Sequence, residues 1–199
     1  MSLWIKICGL TTPEAVAAAL DAGADAIGFV FAKSVRQVTP EQAARLAVPA
    51  RGRARCVAVT RHPTQSDIDR ILEGFNPDIL QTDVQDLASL QFPVQLELLP
   101  VLRAAAAEMP TRLLFEGANS GTGQTCDWTA ASQVARRTQL VLAGGLNPDN
   151  VASAIAAVRP FGVDVSSGVE TRPGVKSPAE IANFVNAARA QRVAQEDRV

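Results

Sequence analysis

The sequence has no tyrosine, one histidine (His62), two methionines, and three cysteines far apart at Cys8, Cys56 and Cys126. One imidazole and no CxxC pair cannot supply the several ligands that a zinc or iron centre takes, so no metal site is expected. Three scattered cysteines do not make a disulfide framework, and a reducing cytoplasm fits them. Charge of one sign is also lacking: the formal net charge is -1, with no stripe of Lys and Arg. That excludes the long-range field by which a protein gathers nucleic acid or an anionic membrane. No apolar run is long enough for a signal peptide or a membrane span, because the chain enters a strand-like segment at Leu3-Trp4-Ile5-Lys6-Ile7-Cys8. The partner left by these exclusions is a small molecule.

What is present is enough apolar material for one core, 47% of 199 residues. Short runs rich in Val, Ile, Leu and Phe alternate with longer Ala-rich segments of helical period. Strands are expected at 3–8, 26–31, 54–60, 78–81, 94–99, 112–116, 139–143 and 162–166. Helices are expected between them at 13–22, 40–48, 65–73, 85–90, 102–108, 128–136, 148–158 and 178–191. Thr12-Pro13, Thr39-Pro40, Asn147-Pro148 and Ser177-Pro178 each set a capping side chain before a first-turn proline. Eight βα units in one domain predict an α/β fold of the (β/α)₈ TIM-barrel type over 1–199, with 190–199 a frayed polar tail. A doubly wound open sheet shares the alternation and differs only in not closing.

Functional groups of such a barrel stand at the C-terminal ends of its strands. Those positions hold Cys8-Gly9, Arg36, Gln81-Thr82-Asp83, Glu116-Gly117, Gly144-Gly145 and Asp164-Val165-Ser166-Ser167-Gly168. Small residues after strands seven and eight (Gly144, Gly145, Ser166, Ser167, Gly168) let backbone N–H groups converge on a phosphate, which predicts a phosphorylated ligand. Either glycine pair alone is equally a left-handed turn. A free cysteine ending a buried strand, as Cys8 does, is more often inert than reactive. Cys56 reads as core filler, Cys126 as a residue of a polar loop, and His62 as a turn residue beside Pro63.

Several segments carry a resemblance in order along the chain. They are Lys6-Ile7-Cys8-Gly9-Leu10-Thr11, Gly23 to Phe31 (GADAIGFVF), Gly121-Thr122-Gly123 with Asp127-Trp128, Ala143 to Pro148 (AGGLNP), and Arg159 to Glu170 (RPFGVDVSSGVE). Together they resemble the phosphoribosylanthranilate isomerases of tryptophan biosynthesis. The resemblance implies an Amadori rearrangement of N-(5'-phosphoribosyl)anthranilate to 1-(2-carboxyphenylamino)-1-deoxyribulose 5-phosphate, without cofactor or metal. It assigns Cys8 as the general base, which needs a positive or dipolar setting to make its thiolate accessible. It places Arg36 near the substrate's phosphate or carboxylate, with a solvated arginine as the alternative. It places Asp164 near the amino group or ribose, with a carboxylate holding the loop as the alternative.

Two positions depart from the family pattern. The family's usual aspartate acid at the end of the sixth strand is Glu116 here, in Leu113-Leu114-Phe115-Glu116-Gly117, and its usual Gln-Leu-His-Gly is Gln81-Thr82-Asp83-Val84. Gln81 is kept as a substrate contact, and the histidine's contribution is lost or passes to Asp83. Glu116 is expected to be the acid rather than Asp127, whose place before Trp128 is that of a helix N-cap accepting backbone N–H bonds. The alternatives are a catalytically silent or ligand-binding barrel of the same family, or another phosphosugar isomerase. A monomer or a homodimer, and association with other tryptophan-pathway enzymes, are left open.

Overall fold

In the computed structural model, which describes residues 3–117 and 126–196, eight parallel strands follow one another in chain order. They are Trp4–Cys8 (β1), Ala26–Val30 (β2), Arg55–Val59 (β3), Ile79–Asp83 (β4), Glu97–Leu102 (β5), Arg112–Phe115 (β6), Gln139–Leu142 (β7) and Gly162–Val165 (β8). β8 returns to pair with β1 through Trp4↔Gly162 and Lys6↔Asp164, so the sheet closes and the open-sheet alternative falls.

Alternation along each strand divides the core in two. Ile5, Ile7, Ile27, Phe29, Leu113, Leu140, Leu142 and Val163 face outward into the layer shared with the helices. Ala26, Val57, Ile79, Leu99, Leu114 and Val141 fill the barrel, with Trp4 and Phe161 packed against them. Further along the same inward rows the residues turn polar: Lys6 and Cys8 on β1, Gln81 and Asp83 on β4, Asp164 on β8.

The α-helices are Pro13–Asp21 (α1), Pro40–Ala47 (α2), Gln65–Phe75 (α3), Trp128–Ala135 (α4), Val151–Val158 (α5) and Pro178–Glu196 (α6). Thr12 caps α1, Thr39 and Gln42 form a capping box on α2, and Ser177 Oγ accepts from Glu180 N at 3.2 Å on α6. Replacing such a cap by alanine costs about 1 kcal/mol. Asn147 does not cap at Pro148; its Oδ1 accepts from Asp149 N and Asn150 N in a turn, and α5 begins three residues later than expected.

Two expected helices are absent. Residues 85–90 lie mostly in a short 3-10 turn, Val84–Ser89, and 102–108 contain no helix at all. The cause of the second error is β5, which runs three residues beyond its expected start and end because Pro100 lies inside it. Proline ordinarily ends a strand. Here β5 pairs with β4 along Glu97–Val101 but with β6 only from Val101 onward, so Pro100 interrupts no ladder on the β6 side. A hairpin missed by sequence reading, Glu170–Arg172 (β9) with Val175–Lys176 (β10), follows β8. The last helix continues to Glu196, through most of the segment expected to fray.

Candidate active site

The polar ends of the inward rows surround a cavity of about 360 Å³. Cys8, Arg36, Gln81, Glu116, Gly144, Gly145, Asp164, Ser166 and Ser167 all line it. Gly168 lies in an adjoining groove with Arg36, Gly145 and Glu170. A Cβ on Gly168 would fall on the Leu146 carbonyl, so glycine there is required by close backbone packing. The motif Gly121-Thr122-Gly123 lies outside the described residues.

Around Cys8 the site is built from buried charges. Lys6, two residues earlier on the same strand face, is wholly buried and donates to Asp164 Oδ1 at 2.8 Å. Burial works to lower the Lys6 pKa, but the Asp164 carboxylate and the Cys8 sulfur raise it on balance. Gly28 of β2, the register partner of Cys8, makes room for both, since a Cβ there would stand 3.1 Å from Cys8 Sγ and 3.1 Å from Lys6 Cε. Burial pushes the Cys8 thiol above its ordinary range; Asp164 adds to the rise, and Lys6 and Lys176 oppose it. The cationic setting expected for this cysteine is therefore present, but it does not overcome desolvation in the protein alone. Cys56 and Cys126 are pushed up to about 11, chiefly by burial. Cys126 is a loop residue before α4, as expected, but a buried one, lying against Gly117 and Gly144.

Arg36 is not solvated. Its Nε and Nη2 donate to the two oxygens of Glu170, each at 2.7 Å. Gly9, at φ 76°, lets the arginine stem pass; a Cβ there would lie 2.7 Å from Arg36 Cδ. Lys176 Nζ completes the group with bonds to Glu170 Oε1 at 2.7 Å and the Ser166 carbonyl at 2.9 Å. Burial works against the Glu170 carboxylate, yet its bonds from Arg36 and Lys176 bring its pKa to about 2. Burial is the leading cause of the lowered Lys176 pKa, with Glu170 opposing.

On the opposite wall Arg103 joins Asp83 to Glu116, at 2.6 and 2.7 Å. Glu116, which ends the run Leu113-Leu114-Phe115, thus meets a guanidinium at the cavity wall. Asp127 caps α4 as expected, accepting from Thr129 N at 2.8 Å and Ala130 N at 3.2 Å. Gln81 is buried with its Oε1 lacking a partner among the described residues. Gly144 and Gly145 take φ of 87° and 67°, consecutive left-handed positions without side chains to cover the backbone N–H groups.

His62 is a turn residue, at φ 48°, with Nδ1 2.9 Å from Asp86 Oδ1. Donor atoms of His62, Asp83 and Asp86 lie within 4.8 Å of one another. Asp83 is already bonded to Arg103, and Asp86 accepts from Thr82 Oγ1 at 2.6 Å, so these groups form a hydrogen-bonded charge cluster.

Sequence reading missed Lys6, Arg103 and Lys176. A lysine in an otherwise apolar strand, in step with Cys8, was the available signal for the first; the misplaced β5 hid the second.

Residues 5–187 match the family described as N-(5'phosphoribosyl)anthranilate (PRA) isomerase. An N-(5'-phosphoribosyl)anthranilate isomerase of Rhizobium rhizogenes is 40% identical over 205 residues, 92% of each chain. The crystal structure of TrpF from Jonesia denitrificans superposes with a TM-score of 0.81 at 37% identity, over 96% of this chain and 98% of that one. A phosphoribosyl anthranilate isomerase in complex with reduced 1-(o-carboxyphenylamino)-1-deoxyribulose 5-phosphate gives a TM-score of 0.77 at 31% identity, over 94% and 99%. Matched almost from end to end in sequence and in fold, this chain belongs to the N-(5'-phosphoribosyl)anthranilate isomerase family.

Proposed function

We propose that this chain catalyses the Amadori rearrangement of N-(5'-phosphoribosyl)anthranilate to 1-(2-carboxyphenylamino)-1-deoxyribulose 5-phosphate in tryptophan biosynthesis. The observation that carries the reading is a single cavity lined by a buried thiol near two lysines, a carboxylate on the facing wall, and two consecutive left-handed glycines.

Glu116 gives a proton to the furanose ring oxygen, the bond from that oxygen to the first sugar carbon breaks, and the exocyclic nitrogen forms an iminium. Cys8, as thiolate, takes the proton from the second sugar carbon; the resulting enolamine tautomerises to the ketone. Lys6 and Lys176 each favour the thiolate against burial. The backbone at Gly144, Gly145, Ser166, Ser167 and Gly168 receives the phosphate. Gln81 offers its buried amide oxygen to an N–H or O–H of the substrate, and Asp164 faces the amino group or ribose. Arg36 lies where the substrate's phosphate or carboxylate approaches.

All these residues belong to one barrel mouth, so the assignment holds for a monomer or a homodimer. No helix among the described residues is long and apolar enough to cross a membrane, and we place the reaction in the cytoplasm. The test is turnover of freshly generated phosphoribosylanthranilate. Cys8→Ala should remain folded and lose activity by about 10²–10⁴, the scale for deleting a general base. Activity of the variant within about threefold of the parent would remove Cys8 from the mechanism.

A further inference from the structure

The two positions at which this chain departs from the family pattern, Asp83 and Glu116, are joined by one side chain. Arg103, the first residue after β5, donates from Nη1 to Asp83 Oδ1 at 2.6 Å and from Nη2 to Glu116 Oε1 at 2.7 Å. The side chains of Asp83 and Glu116 are 4% and 13% exposed and that of Arg103 26%, so water screens the bridge only in part. A guanidinium is planar, and fixing one of its terminal nitrogens on Asp83 fixes the direction in which the other points. Asp83 is itself held at the end of β4, with Arg61 Nε at 4.0 Å and His62 Nε2 at 3.5 Å from its second oxygen. A histidine at position 83 could not brace the guanidinium in this way: protonated it repels, and neutral it offers one nitrogen acceptor.

We propose that Arg103 is a positioning residue for Glu116: braced by Asp83, it holds the carboxyl at the cavity wall in the orientation from which it delivers its proton. The inference rests on the reading of Glu116 as the general acid. The bond from Nη2 to Oε1 fixes the plane of the carboxyl, and a carboxyl oxygen still accepts it when the group is neutral. The extra methylene of glutamate, relative to the family's aspartate, is matched by an arginine that ties the longer side chain down.

The experiment compares Arg103→Met and Arg103→Lys in the parent and in a Glu116→Gln background, reading kcat and KM separately, with thermal unfolding to confirm folding. Arg103→Met should lower kcat about a hundredfold, the scale for misplacing a reacting group by an ångström, with KM within about threefold. Arg103→Lys keeps the charge but not the fork and should recover little of the loss. In the Glu116→Gln background Arg103→Met should change kcat by less than about twofold, because the group it positions is already disabled. A raised KM at unchanged kcat would overturn the inference, assigning Arg103 to substrate binding. Equal losses in both backgrounds would also overturn it, as would full activity of Arg103→Lys, which keeps the test alive should the methionine variant not fold. If Glu116→Gln alone turns over like the parent, the acid assignment fails and this inference with it. If that variant is inactive and the Arg103 loss is additive, only the positioning role fails.

Discussion

The two walls of the barrel mouth use the same kinds of side chain to different ends. On the β8–β1–β2 wall, Lys6 and Lys176 are 0% and 1% exposed, and each is paired with a carboxylate, Asp164 and Glu170. On the β4–β5–β6 wall, Asp83 and Glu116 share a partly hydrated Arg103, and Arg61 and His62 stand largely in solvent. The β9–β10 hairpin brings Glu170 and Lys176 to the first wall, whereas no α-helix follows β4 or β5 among the described residues. Desolvation therefore dominates around Cys8, even with two lysines nearby, while Glu116 accepts a directed bond from Arg103. How strongly a charge is felt depends here on its burial more than on how many charges surround it.

The sharpest test of this contrast is catalytic. Glu116→Gln should cut turnover by about 10²–10⁴ while leaving substrate affinity in place, whereas Asp127→Asn should leave turnover largely intact and cost about 1–2 kcal/mol of stability. The reverse pattern, read by turnover and thermal unfolding, would move the acid off the Arg103 wall.

A smaller effect separates the walls by stability. Lys6→Met strands the Asp164 carboxylate in the interior and should cost about 3–5 kcal/mol, as breaking a buried pair does. Arg61→Ala, on the open wall, removes a 62% exposed side chain 4.0 Å from its partner and should cost less than about 1 kcal/mol. Equal losses in denaturant unfolding would mean that burial does not distinguish the two walls.

The smallest effect is a pH dependence. Glu170 has its folded pKa depressed from 4.5 to about 2, so its contribution to stability is complete above 4.5 and is lost as pH falls towards about 2. The difference in stability between the parent and Glu170→Gln should accordingly narrow over that window. A difference that stays constant from pH 6 to pH 2.5 would contradict the ion-pair origin of the stabilisation.

Much of the enclosed wall was legible in the sequence, because its residues sit in strands whose period is regular. Lys6-Ile7-Cys8 and Asp164-Val165-Ser166 alternate cleanly, and capping threonines mark the helices beside them. What could not be read was the pairing between Lys6 and Asp164, which are 158 residues apart and meet only because β8 closes on β1. The open wall was legible in part. Glu116 and Gln81 follow from strand ends, but Pro100 looks like a terminator, and moving β5 by three residues turned Arg103 from a strand-end residue into an expected helical one. Local sequence does not reveal that β5 has a paired neighbour on only one side at Pro100. The loss of the helix at 85–90 has the same character: Val84–Ser89 forms one short turn, and the chain then runs without a helix to the next strand.

That bare stretch bears on how the molecule opens. A closed sheet has no edge from which to fray, yet over Val84 to Thr111 the outside of the barrel is covered by loop residues such as Leu90, Phe92 and Met109 in place of packed helices. Loop cover opens at a lower free energy than packed helices, so the amides of β5 should exchange with deuterated solvent ahead of those of β1 and β8. The strand that delivers Arg103 is then also the seam of the barrel. The carboxylate it holds would sit on the part of the scaffold that breathes first, while the thiol it faces sits on the part that opens last.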